Sequence, residues 1–405
     1  MLQTSDQSSA SSVKPYAFIV SFGVVSMLMD TVYEGALAVQ GPLLASLGAS
    51  AFIVGLVSGL GEATALAGRL FSGPLADRTG RYWTFAILGY AATALAVPAM
   101  GFVGSLVGVS ALVIFERFGK SLRTPSRDAM LSHAASAVGR GKGFALHEVM
   151  DQIGAVGGPL AVAALLSATG NDYRVALGLL IIPGIIAIGV LLALRHRVPN
   201  PAVYENADNA SPGTSKPAGL PRLPRIFWTY TLTCGIMLVG VATFGVISFH
   251  MVSTGLADDA LVPVLYAVAM GVDAVFAAIT GTLYDKFGPR VLLALPFVCA
   301  SIPFLAYTQS LAFVIAGIAL WGASLGIQES TMRAAVAGLV PSNQRASSYG
   351  MFSVVIGIGQ LAGGIAAGAL YEISPAAIIV FSCIVEAVAF TLLISALRRS
   401  ESNRN

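Results

Sequence analysis

Gly73-Pro74-Leu75-Ala76-Asp77-Arg78-Thr79-Gly80-Arg81 closes one long apolar run. Gly281-Thr282-Leu283-Tyr284-Asp285-Lys286-Phe287-Gly288-Pro289-Arg290 closes another, 208 residues later. Both copies read G-x-L-x-D-[R/K]-x-G. The same motif at the same place in two halves predicts a duplicated architecture. The apolar runs predict the medium: with 56% hydrophobic and 11% charged residues, against about 25% charged in an ordinary soluble domain, the chain cannot cover a water-facing surface. It reads as an integral membrane protein. The runs are continuous and about 20 residues long, which points to helices rather than to the short alternating strands of a barrel.

Twelve such runs are read, near 16–44, 51–73, 83–101, 106–131, 143–167 and 174–194, then 226–252, 261–282, 290–308, 311–334, 347–370 and 375–396. The expected organisation is a tail over 1–15, a six-helix bundle over 16–194, a polar linker rich in Pro, Asn and Ser over 195–225, a second bundle over 226–396 and a tail over 397–405. No secretory signal pattern is read in the Ser-rich start. Cys234, Cys299 and Cys383 fall inside apolar runs, without disulfide or metal spacing. Sixteen Lys and Arg lie in the termini and even-numbered loops, against Arg174 alone in the odd-numbered ones. Positive residues accumulate on the cytoplasmic side, so both termini are expected there. Two further landmarks keep the repeat: Arg127 and Arg333 are 206 apart, and Gly143 and Gly350 are 207 apart.

Over essentially its whole length the chain resembles the major facilitator superfamily, and the first loop motif is the most specific element of that likeness. The resemblance implies an all-α membrane fold of twelve transmembrane helices in two pseudo-symmetric six-helix bundles. These rock about a central cavity to expose it alternately to each side. It further implies that Gly73, Asp77, Arg78, Gly80 and Arg81, with Asp285, Arg127 and Arg333, form a cytoplasmic latch between the bundles. The plainer alternative is a topology anchor that ends the helix.

Charges inside a bilayer cost roughly 2.5–3.5 kcal/mol each on insertion scales and mark function by default. Asp30 and Glu34 share a helix face on span 1, and Glu62 lies near the middle of span 2. On span 4, Glu116, Lys120, Arg123 and Arg127 form one stripe, with Arg117 beside it and Pro125 expected to bend it. The bases are expected to pair with Asp30, Glu34, Glu62 and Asp151. Asp30, Glu34, Glu62, Glu116, Arg117, Lys120 and Asp151 are therefore the candidates for proton coupling and the substrate cavity, with structural ion pairing as the alternative. Arg117 occupies roughly the place of the family's span-4 arginine, although the Gln-Gly that follows it in the family is absent. On span 5, Gly154, Gly158 and Pro159 match the core G-x-x-x-G-P of the exporters in this superfamily, while Ala145 and Ala163 replace flanking glycines. Asp273, Gln328, Glu329 and Gln360 are secondary cavity candidates in the second half, and Glu329 and Arg333 are spaced to neutralise each other.

No nucleotide-binding loop of the G-x-x-x-x-G-K-[S/T] type is present. The expected function is secondary active transport of a small molecule, in the direction of proton-coupled export. The alternatives are import or export of a metal cation, an organic acid or a siderophore, and more remotely a non-transporting sensor. No enzyme activity, cofactor or metal site is expected; a proton gradient supplies the energy. The expected partners are a small-molecule substrate and the lipid bilayer, with no nucleic acid. The expected state is a monomer in the bacterial cytoplasmic membrane. Three acids in the first half favour a cationic cargo, while the bases of span 4 leave an anion open.

Overall fold

The computed structural model describes residues 13–204, 223–340 and 344–402. The tail before residue 13, linker residues 205–222 and the last three residues lie outside the described residues. Helices account for nearly all of the described chain. The first half comprises α1 (Pro15–Ser46), α2 (Ala51–Ala67), α3 (Arg69–Thr79), α4 (Tyr82–Phe102), α5 (Leu106–Val138), α6 (Arg140–Thr169), α7 (Tyr173–Gly178) and α8 (Ile181–Arg197). The second comprises α9 (Arg225–Val239), α10 (Phe244–Ser253), α11 (Leu261–Phe287), α12 (Leu295–Ala306), α13 (Leu311–Ile327), α14 (Arg333–Leu339), α15 (Arg345–Ile373) and α16 (Pro375–Ser402).

Among the described residues, ten segments are long and apolar enough to cross a membrane. These ten and α5 make twelve crossings, because one of the ten is long enough for two. Leu261–Ala306 covers 46 residues, roughly 70 Å of helix, more than twice the ~30 Å hydrocarbon layer. It is α11 and α12 joined by a 3-10 segment, Gly288–Ala294, and makes two crossings. α5 is the other: at 33 residues it is long enough to cross, and it carries Glu116, Arg117, Lys120 and Arg123 within its span.

Local signals set the helix ends. Pro15 starts α1, where its missing N–H costs nothing. The hydroxyls of Ser50 and Ser105 accept from Ile53 and Gly108 backbone N–H groups and cap α2 and α5. The loop motif is mostly helical rather than loop: Gly73 to Thr79 belong to α3, and only Gly80 turns, at φ 63°. Gly288, its repeat partner, has the same φ of 63°. A positive φ is open to glycine at no steric cost, so both copies keep one there, Gly80 in the left-handed helical region at ψ 12° and Gly288 extended at ψ −152°. Pro125 does not interrupt α5, which runs unbroken from Leu106 to Val138.

Three apolar clusters hold the molecule together. One lies within the first half around Phe18, Phe22, Trp83 and Tyr90. Another joins α10, α11 and α13 around Phe244, Tyr266 and Trp321, and the last lies around Tyr230, Leu295 and Phe352. The halves meet where side chains are absent. A Cβ on Gly55 would strike the Gly364 carbonyl, and one on Gly364 would strike the Gly55 carbonyl, so α2 and α15 touch backbone to backbone. α15 stays close toward the motif end, where Gly357 lies over Ala63 of α2 and Gly350 over Leu70 of α3. α1 meets α10 at Gly41 and Ser248, and α6 packs on α11.

Candidate functional site

The charges of α5 point inward, into two connected networks. In the first, Arg117 reaches Glu62 of α2 (Nη2 to Oε1, 3.5 Å) and its own neighbour Glu116 (Nε to Oε2, 3.5 Å). The other oxygen of Glu116 lies 3.6 Å from Arg123 Nη1 and accepts from the Thr93 hydroxyl of α4 at 3.0 Å. Arg123 also donates to Thr93. In the second network, Arg127 binds Asp128 at 2.9 Å and Asp151 of α6 at 3.3 Å. His147 continues it, with Nδ1 3.3 Å from Asp151 and Nε2 2.9 Å from the Ser26 hydroxyl of α1. Ser26 in turn meets Tyr90 at 3.3 Å.

Aromatic rings join the two. Lys120 Nζ lies 4.2 Å from the centre of the Tyr33 ring, Arg123 Cζ 5.0 Å and Arg117 Cζ 5.5 Å. Arg123 also stacks over Tyr90 at 5.2 Å. A ring face attracts cations through its quadrupole, most strongly where water is excluded. Tyr33 thus gathers three cationic side chains that would repel one another.

The expectation that span-4 bases pair with four acids holds for Glu62 and Asp151 and fails for Asp30 and Glu34. Asp30 is buried and feels Asp151, Arg123, Glu34 and Arg127 electrostatically, but has no ion pair within 4.0 Å among the described residues. Glu34 instead accepts from the Tyr266 hydroxyl of α11 at 2.6 Å. The physical reason is Tyr33, whose ring occupies the face that the three cations share.

In the second half, Asp273 of α11 is buried, with Oδ1 lacking a hydrogen-bond partner. Gln328 donates to Ser324 at 3.4 Å, and Gln360 Oε1 has no partner. Glu329 and Arg333 do not form the expected pair within 4.0 Å, because Gln328–Met332 winds as a π-helix between α13 and α14. Its wider turn takes residues four apart off one face. Glu329 instead feels Arg333, Glu148, Lys120 and Glu34 from a distance.

Among the described residues no ion pair joins the latch residues of one half to those of the other, although Arg127 and Arg333 both act on Arg69 at the start of α3. Asp77, Arg78 and Arg81 are exposed, and Asp77 accepts from the Tyr82 hydroxyl at 3.0 Å. Asp285 has no ion pair among the described residues, Arg333 is exposed, and Arg127 is committed to Asp128 and Asp151. α3 is fastened within its own half: Ser72 donates to the Ser121 carbonyl at 2.6 Å, and Gly73 lies against Pro125. Gly154 and Gly158 place α6 directly on the α1 backbone at Met27 and Thr31, beside Asp30. No group of three His, Cys, Asp or Glu suited to a metal ion occurs among the described residues. A cavity of about 680 Å³ between α6 and the α10–α11 corner, lined by Leu160, Ser167, Leu256 and Asp258, lies apart from these networks.

Ser26, Tyr90 and Thr93 complete both networks and were not singled out by sequence. A lone hydroxyl in an apolar span carries no signal until the charge that it serves is placed beside it.

The family model of the Major Facilitator Superfamily matches residues 19–302 and, in a second match, 252–405. An uncharacterized protein of Mycobacterium tuberculosis is 47% identical over 378 residues, covering 93% of this chain and 92% of its own. An uncharacterized MFS-type transporter of Methanocaldococcus jannaschii is 24% identical over 383 residues, 92% of this chain and 93% of that one. The crystal structure of the nucleoside transporter NupG superposes with a TM-score of 0.70 at 14% identity, over 94% of this chain and 98% of that one. That last likeness speaks to the fold alone. With twelve membrane helices, a doubled motif and a family match across the length, the chain belongs to the major facilitator superfamily.

Proposed function

We propose that this transporter exports a small organic cation in exchange for protons, by alternating access, as a monomer in the bacterial cytoplasmic membrane with both termini cytoplasmic. The observation that carries the reading is the 2.6 Å bond from Tyr266 to Glu34. It joins α1 of one half to α11 of the other through a titratable group. An ionised carboxylate accepts a charge-assisted bond, roughly twice as strong as a neutral one. Protonating Glu34 weakens the bond, and so favours separation of the helices that must part when the cavity opens.

The charge balance supports a cationic cargo. Arg117, Arg123 and Arg127 are each engaged by carboxylates. Asp30, Glu34, Asp273 and Glu329 have no ion pair within 4.0 Å among the described residues, while Lys120, over Tyr33, is the spare base of α5. Gly154, Gly158 and Pro159 support the outward direction through the exporter-like motif.

A thermal-shift screen of the purified protein decides the cargo class first, since a ligand stabilises the state it binds. Tertiary and quaternary amines are expected to raise the melting temperature; stabilisation by organic acids with indifference to amines would overturn the cationic reading. Proteoliposomes with an acidic lumen, offered a quaternary amine from outside, then test coupling. An imposed pH gradient should drive accumulation, and an uncoupler should abolish it. Equal flux with and without the gradient would remove proton coupling, and no flux at all would point to a non-transporting role.

A further inference from the structure

Span 7 is broken. α9 ends at Val239 and α10 begins at Phe244, leaving Gly240, Val241, Ala242 and Thr243 out of helix. Inside a bilayer the backbone groups freed by such a break must find partners within the protein. Ser382 of α16 donates to the Gly240 carbonyl at 2.8 Å, and Trp321 Nε1 of α13 donates to the Ala242 carbonyl at 3.1 Å.

One turn beyond Ser382, on the same face of α16, stands Glu386. Its carboxyl lies directly against Gly240, where any side chain would displace it. Glu386 is 2% exposed, and neither of its oxygens has a hydrogen-bond partner. α16 packs against α9, α12, α15 and the 3-10 segment. From these elements, Cys299 of α12 is the titratable group that feels Glu386, and no charged side chain acts on it. The break also holds the Thr243 hydroxyl, buried and without a partner.

An ionised carboxylate with no donor and no cation is the most costly object that a buried site can hold. The group therefore rests as a neutral acid. A neutral acid with both oxygens idle contributes nothing to packing that a leucine would not supply better. Its distinctive capacity is to exchange a proton, and it sits against the least regular backbone of its span.

We propose that Glu386 is a proton-binding site of the second half, loaded as a carboxylic acid in the conformation seen here and discharged to water when the Gly240–Thr243 break rearranges. The step transfers one proton between Glu386 and water and changes no other bond. Within the transport cycle it rests on the proton-coupled reading above, and would give the second half a proton-binding group of its own.

The test needs no substrate. Infrared difference spectra of the purified, lipid-reconstituted protein, taken from about pH 6 to about pH 10, should show the carbonyl band of a carboxylic acid free of hydrogen bonds. The band should bleach as the pH rises, and should be absent from Glu386→Gln. Hydrogen exchange over the break, corrected for its intrinsic pH dependence, should speed severalfold across the same range in the wild type. It should stay at the slow, low-pH level in Glu386→Gln. A band that never bleaches, exchange that ignores pH, or the same pH response in Glu386→Gln would overturn the proposal. If that variant does not fold, the wild-type band and exchange decide alone. Failure of the transport reading shows separately: flux indifferent to a pH gradient with Glu386 still titrating removes the coupling, while gradient-driven flux with a silent Glu386 removes this site only.

Discussion

Arg123 concentrates the chemistry of the first half in one side chain. It meets Glu116 and Thr93 and stacks on Tyr33 and Tyr90, almost fully buried. Removing it leaves Glu116 buried with Arg117 as its remaining partner, and one carboxylate oxygen without its cation. Arg123→Ala is therefore expected to destabilise the protein by about 3–5 kcal/mol, seen as a lowered unfolding temperature in detergent. Pairing it with Glu116→Gln should recover much of the loss, because the carboxylate that lost a cation is then neutral and Arg117 keeps Glu62. Tyr266→Phe removes only the hydroxyl that binds Glu34. It is expected to keep the protein folded and to lower gradient-driven flux, with Glu34→Gln giving the same phenotype and the double variant no additional loss. Additive losses would show that the two residues act separately. The sequence made α5 and its acids legible, because charge in an apolar run is conspicuous. It could not rank the acids as partners. That ranking depends on Tyr33, which reads from sequence as one aromatic residue among many until its ring is found beneath three cations.

At the scale of elements, the spans were readable and their irregularities were not. Runs of about 20 apolar residues announce a crossing wherever they occur, and the α5 stripe survives its charges because they share a face. The break in span 7 and the π-helix at Gln328–Met332 leave no comparable trace. The break is tolerated because residues far along the chain, Ser382 and Trp321, satisfy its freed carbonyls. Glycine contacts tell the same story. Gly55 and Gly364 are unremarkable among 44 glycines, and become specific only when α2 and α15 are laid together. Gly55→Leu should force the two halves apart at that contact and cost about 1–3 kcal/mol or more. A shortened half-life in detergent would report it, while Gly189→Leu, with open space around it, should be neutral.

At the scale of the whole molecule, the charge asymmetry sets a direction that labelling can check. In a cysteine-free background, Asn171→Cys in the loop holding Arg174 should react with an impermeant maleimide on intact cells. Arg78→Cys should react only after the membrane is opened; the opposite pattern would invert the proposed orientation. The comparison of the halves reaches further. Gly80 and Gly288 share a φ of 63° but leave it at ψ 12° and ψ −152°, and Arg81 and Pro289 beside them have diverged. At the spacing that relates Arg127 to Arg333, Glu116 and Lys120 correspond to Gly322 and Gly326, and those glycines press α13 onto the α11 backbone at Ala269 and Asp273. Where one copy keeps a charge, the other keeps a close helix contact. An ancestor of half this length would have worked as a pair of identical chains, obliged to change both sides at once. A single chain is free of that obligation, and the glycines kept at Gly80 and Gly288 mark what both halves still need. The mismatched positions mark what the single chain became free to specialise.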